Sequence, residues 1–208
     1  MVDREQLETL IREVLDDTEL KLKVDRFTLD ENLENGQVRL SCQVHDARTG
    51  ERAAIDGTGV GLVDAFFHGL VNLYAPRYPS LKTLRFLDFG IKAKAGTGRH
   101  HTASDMEAHV TLSIANSEGQ EFLFQHASHS ITGSSLTVVA LGVTFFINSE
   151  RAYVAVYQAL EHARLEKRAD SVQSYTAKLA VLVEATSYSA VIAKLKLDKP
   201  EKINKREN

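Results

Sequence analysis

Asp64 closes the run Gly59-Val60-Gly61-Leu62-Val63-Asp64-Ala65, and this spacing is the part of the 208-residue chain best suited to hold a small zwitterion. A free amino acid needs donors for its carboxylate, an acid for its ammonium group and an apolar wall for its side chain. Backbone N–H groups from Gly59 to Gly61, with the start of a following helix, suit the carboxylate. Asp64 suits the ammonium, and Val60 and Phe67 offer the wall. The same residues also have a purely architectural use. Glycines can turn a strand into a helix, and an acid can stabilise a first helical turn, with no ligand present. Both readings of the bend stand at this level.

The other chemistry-bearing residues are less well placed. Gly57-x-Gly59-x-Gly61 has the start of a dinucleotide loop, but Leu62 occupies the position of the third glycine. His126 and His129 are three apart, a spacing that does not share one face of a strand, His100 and His101 adjoin in a loop, and no Cys or Glu-x-x-His partner stands at ligand spacing. We therefore expect no metal and no cofactor. Thr132-Gly133-Ser134-Ser135 lacks the Gly-x-Ser-x-Gly frame of a nucleophile elbow, and Ser134 or Ser135 reads as the N-cap of the apolar segment that follows. An enzyme working through His100, His101 and Asp105 is the least supported alternative, so the expectation is a non-catalytic protein.

Composition bounds the class. With 43% hydrophobic and 25% charged residues the chain is ordinary globular material. Its single cysteine, Cys42, allows no intramolecular disulfide and lies on the apolar side of an alternating run, which predicts a buried, inert thiol and a reducing, cytoplasmic setting. The charged start Met1-Val2-Asp3-Arg4-Glu5 leads into no apolar signal core, and no apolar run approaches the roughly 20 residues of a membrane span. Net charge is −3, and the basic residues gather only in Lys194 to Arg206, mixed with acid. This favours a solvated terminus over a nucleic-acid-binding face.

Periodicity supplies the elements that would position the bend. Leu7, Leu10, Ile11, Val14 and Leu15 share one side of a helix. Leu20, Leu22 and Val24 alternate with polar residues, as do Val38, Leu40, Cys42 and Val44 beyond the turn at Glu34-Asn35-Gly36, predicting a strand hairpin. A short third strand is expected near Arg52 to Asp56, then a glycine-rich bend, then a helix through Leu62, Phe66, Leu70 and Tyr74 that ends before Pro76. The plan repeats with Leu87, Phe89 and Ile91, with Val110, Leu112 and Ile114, with the strand Glu121 to Ala127, and with an apolar helix over Leu136 to Ile147. Val38-Arg39-Leu40-Ser41 answers by eye to Val110-Thr111-Leu112-Ser113. The expected fold is α+β, two repeated β-β-β-α units with helices packed on antiparallel sheets. Residues 1–18 form an N-terminal helix, 19–168 the duplicated domain, and 169–208 a helical extension with a charged tail. That extension is apolar enough to pack on the domain or on a second subunit.

On the run Gly59 to Ala65, on Leu87-Asp88-Phe89, and on the loop Gly96-Thr97-Gly98 before Val110, the chain resembles the C-terminal regulatory and dimerisation domain of 2-isopropylmalate synthases and the related citramalate synthases. That family runs Gly-x-Gly-Pro-Val/Ile-Asp-Ala into a helix, and here Leu62 replaces the proline. The resemblance covers roughly residues 20 to 160. In the second unit the family has Gly-x-Gly-x-Ser-x-Asp-Ile-x-x-Ala-Ser; of its marked positions Ser134 and Ala140 survive, and Leu136 stands for the aspartate. The resemblance implies a free-standing regulatory domain, since nothing here matches the family's catalytic barrel. It implies a homodimer, a branched-chain amino-acid effector at Gly59, Val60, Gly61, Asp64, Ala65 and Ser134, and a separately encoded synthase as partner. The alternative is a degenerate scaffold that keeps the dimer and has no small-molecule ligand.

Overall fold

The computed structural model describes residues 4–94, 107–186 and 191–193. Helix α1 (Arg4–Leu15) buries Leu7, Ile11 and Leu15, the stripe its heptad-like spacing predicts. The chain then makes two three-stranded antiparallel sheets, β1 (Leu22–Asn32), β2 (Gln37–Asp46) and β3 (Arg52–Gly59), followed by β4 (Arg85–Lys94), β5 (Glu107–Ala115) and β6 (Glu121–Ser128). In each sheet the middle strand is also the middle one in sequence, the meander that short hairpin turns produce. Helix α2 (Leu62–Tyr74) follows the first sheet and lies on β2 and β3. Helix α3 (Ile131–Leu165) follows the second and lies on β5 and β6. The fold is α+β, as expected.

The two units match in detail. The first strand of each carries a bulge at an equivalent place, between Val24 and Arg26 in β1 and between Phe86 and Asp88 in β4. The turn after each middle strand opens on an Asx residue whose Oδ1 accepts a backbone N–H two residues on, Asp46 from Arg48 and Asn116 from Glu118. Each such turn then needs a glycine at positive φ, Gly50 at 74° and Gly119 at 78°. These landmarks pair Val44 with Ile114, Cys42 with Leu112 and Leu40 with Val110. The correspondence read by eye, Val38 with Val110, is therefore two residues out of register. A pattern of period two is unchanged by a slip of two, and only bulges and turns break that degeneracy.

Three boundaries differ from those expected. Strand β3 runs on through Gly57 and Gly59, which pair with Leu40 and Val38, so the bend begins at Val60. The apolar helix and the later stripe at Tyr153 to Ala163 are one helix of 35 residues, α3, whose N-cap is Ser130 and neither Ser134 nor Ser135. Its Oγ accepts the Gly133 N–H at 3.0 Å. The extension forms α4 (Ala169–Leu182), which packs on α3 and α1. Leu182, Ala185 and Val191 join the core, and Lys178 reaches Glu13 at 2.8 Å. Among the described residues α3 is the one helix long and apolar enough to cross a membrane, and 72% of that window is buried inside the fold. A single core cluster runs through both units, from Leu7 to Val191.

Candidate functional site

Gly59, Val60, Gly61, Asp64 and Ala65 come together where β3 meets α2, because the strand is laid almost in contact with the helix. A Cβ on Gly57 would overlap the Ala65 carbonyl oxygen and lie 3.0 Å from the Gly69 nitrogen. A Cβ on Gly59 would meet the Asp64 carboxylate and lie 2.7 Å from the Ala65 nitrogen. Ala65 is fully buried beneath this contact. The interior of the bend is thus filled by backbone, which only glycine permits.

Asp64 occupies the third position of α2 and turns its carboxylate back on the chain. Its Oδ2 accepts the Val60 N–H at 3.1 Å, reaching back one residue beyond the N-cap, and stands 3.6 Å from His68 Nδ1. The N-cap, Gly61, has an extended backbone and makes no side-chain cap. Of the donors expected to greet an effector carboxylate, the Val60 N–H is therefore already taken by the chain's own acid. The expected apolar wall does not form. Val60 is 85% exposed, and the Phe67 ring lies 4.4 Å, centroid to centroid, from that of Phe86. None of the five clefts described on the surface is lined by Gly59 to Ala65.

Ser134 belongs to the other bend. Counting from the N-caps Gly61 and Ser130, it stands where the first unit has Ala65, and Gly133 stands where the first unit has Asp64. His126, set aside above as a metal ligand, and Ser128, which the sequence did not single out, complete the second bend. His126 and Ser128 take the places of Gly57 and Gly59, since they pair with Val110 and Ala108 as the glycines pair with Leu40 and Val38. Ser134 Oγ lies 3.1 Å from His126 Nδ1 and 2.8 Å from Ser128 Oγ. The second unit thus spaces strand from helix with side chains and satisfies them by hydrogen bonds, where the first uses bare backbone. Only alignment of the two repeats in their correct register could have found this trio. Among the described residues no carboxylate contacts His126, and Ser134 is fully buried, so the trio lacks an orienting acid and access for a substrate.

Among the described residues no three His, Cys, Asp or Glu side chains gather as a metal site, and His100, His101 and Asp105 lie outside them. Cys42 is buried on β2, and burial first, then the Asp25 charge, pushes its thiol up to about 11.

A different feature repeats in both units. Phe27 and Leu29 pair with Cys42 and Leu40 and so face the core side of the first sheet, yet they are 37% and 39% exposed. Phe89 and Ile91 pair with Leu112 and Val110 in the same way and are 37% and 46% exposed. Each unit's helix lies mainly on its second and third strands, so that in the first strands Leu22, Val24 and Phe86 still pack on the core while Phe27, Leu29, Phe89 and Ile91 farther along stay more than a third exposed. No protein-family model matches the chain, and no curated protein matches it.

Proposed function

We propose that this chain is a non-catalytic regulatory and dimerisation module, of the kind resembled by the C-terminal domain of 2-isopropylmalate synthases, that assembles through β1 and β4. The observation that carries the reading is the equivalent pair of bare inner faces, Phe27 with Leu29 and Phe89 with Ile91. Aromatic and aliphatic residues that face the core side of a sheet without cover mark an interface more often than a solvated surface. In such an assembly the module would act on a separately encoded synthase. Analytical ultracentrifugation of the wild type and of a Phe27→Lys/Phe89→Lys variant tests this. The expected result is a wild-type dimer at roughly 10 µM and a folded, monomeric variant, as loss of a central aromatic anchor predicts. A monomeric wild type at that concentration overturns it.

Effector sensing is the second reading, favoured by one observation. While holding the Val60 N–H, the Asp64 side chain stays 37% exposed, so an ammonium group can reach it from outside the bend. Calorimetry with leucine, isoleucine and valine decides the matter. Saturable heat that disappears in Asp64→Ala supports sensing, and no heat at millimolar ligand leaves assembly as the function.

A further inference from the structure

A cleft of about 410 Å³ opens between α1, α3 and the start of β1, away from both bends. Its floor is apolar, made by Ile11, Leu20, Leu141 and Phe145, and its size falls in the lower part of the range of small-molecule sites. Thr144 also lines it, and the Thr144 Oγ1 is buried with no hydrogen-bond partner. Neighbouring hydroxyls on the same helix behave differently. Ser135, Thr137 and Ser149 each donate to the carbonyl four residues back, at 2.8 Å. A buried hydroxyl left unmet is unfavourable, and a χ1 rotation of the half-buried Thr144 would bring this unspent donor to the cleft. Asn148 offers nothing further, since its amide both donates to and accepts from the Leu20 backbone at 2.9 Å.

The rim is basic. Arg4, Arg12, Lys21 and Lys23 line the cleft against Glu8 and Glu19. Arg4 pairs with Glu8 at 2.7 Å and Lys21 with Glu19 at 3.5 Å. Arg12 and Lys23 then have no acidic partner among the described residues, and they leave two uncompensated positive charges above an apolar floor. An apolar slot with an unmet donor and cationic mouth matches a small amphiphile with one carboxylate.

We propose that this cleft binds a medium-chain carboxylate, its hydrocarbon tail on Ile11, Leu20, Leu141 and Phe145 and its anionic head held by Arg12, Lys23 and the Thr144 hydroxyl. Bound there, the ligand clasps α1 to α3 at the junction with the first sheet.

Titration calorimetry of the full chain with sodium octanoate, to roughly 5 mM, tests the site, with octanol and acetate as separate arms. The expected result is saturable one-to-one binding of octanoate, with octanol and acetate each at least about tenfold weaker. Arg12→Ala/Lys23→Ala weakens octanoate by about tenfold, and Thr144→Val weakens it severalfold while the fold is kept. Leu141→Trp, at a half-exposed helix position, fills the slot and abolishes binding. Absence of saturable heat in the wild type overturns the proposal, as does octanoate affinity untouched by both Leu141→Trp and Thr144→Val. Octanol binding as tightly as octanoate overturns the anionic head.

Discussion

Cys42 and Tyr74 are the two side chains whose surroundings most change their chemistry. For Cys42 the cause is burial first and the Asp25 charge second; for Tyr74 it is burial first, then Asp46, Tyr78 and Glu51, and its hydroxyl is pushed up to about 12. Both groups hold their proton more tightly in the folded chain than in the unfolded one. The stability they contribute is complete below their ordinary values of 9.0 and 10.0 and is lost as pH rises toward about 11 and 12. Urea midpoints measured across pH 8 to 11 should therefore fall with rising pH, the fall beginning near 9, and Cys42→Ser should flatten its early part. In the same window Cys42 should resist alkylation until the chain unfolds, because the thiolate is the nucleophile and the thiol is buried. That Cys42 is buried was legible from its alternation with Ser41 and Gln43. The contribution of Asp25 was not, since it depends on a strand 17 residues away in the register Phe27 to Cys42.

At the scale of elements, the contact between β3 and α2 decides what the glycine run is for. Gly57 and Gly69 face each other across it, and Gly69 in turn leaves room for Ile55. Gly57→Ala should cost about 3 kcal/mol or more, because its new methyl meets rigid backbone on both sides and overpacking of this kind has no flexible neighbour to absorb it. Gly61→Ala should cost little, since nothing lies within 4 Å of its missing Cβ and its φ of −175° is extended backbone any residue adopts. Chemical denaturation of the two variants separates a packing role from a conformational one. A Gly57→Ala chain as stable as wild type would mean that strand and helix are not in contact. The motif's glycines could be read in the sequence as a strand-to-helix signal. Their division of labour could not, because Gly57, Gly59 and Gly61 differ only in what approaches them.

Across the whole molecule, the two units share one core and place their bare strands at equivalent positions. α3 is the element that unites them. It covers β5 and β6, touches β1 and α2, and receives α1 and α4. Gly142 allows its close approach to the second sheet, where a Cβ would stand 2.6 Å from Ile114 Cδ1. The expected dimer belongs to this scale, since each chain carries two bare faces, and a mixed variant with only Phe89→Lys should associate more weakly than wild type but more strongly than the double change. The carboxylate cleft belongs here too: α1, α3 and β1 are separate in sequence, and its Thr144, unlike Thr137, makes no bond to the carbonyl four residues back.

Local pattern by itself determined the strands, helices, turns and their duplicated order, because alternation, helical spacing and Asx-glycine turns act over a few residues. It also singled out the run Gly59 to Asp64, where donors, acid and apolar residues coincide, though β3 runs through Gly59 and the bend begins at Val60. Tertiary structure decided the register of the repeat, the filling of the first bend by Asp64 and backbone, and the His126, Ser128 and Ser134 network of the second. It alone exposed Phe27, Leu29, Phe89 and Ile91. Their apolar character is the same whether a helix covers them or not, and coverage is settled by where α2 and α3 lie across each sheet.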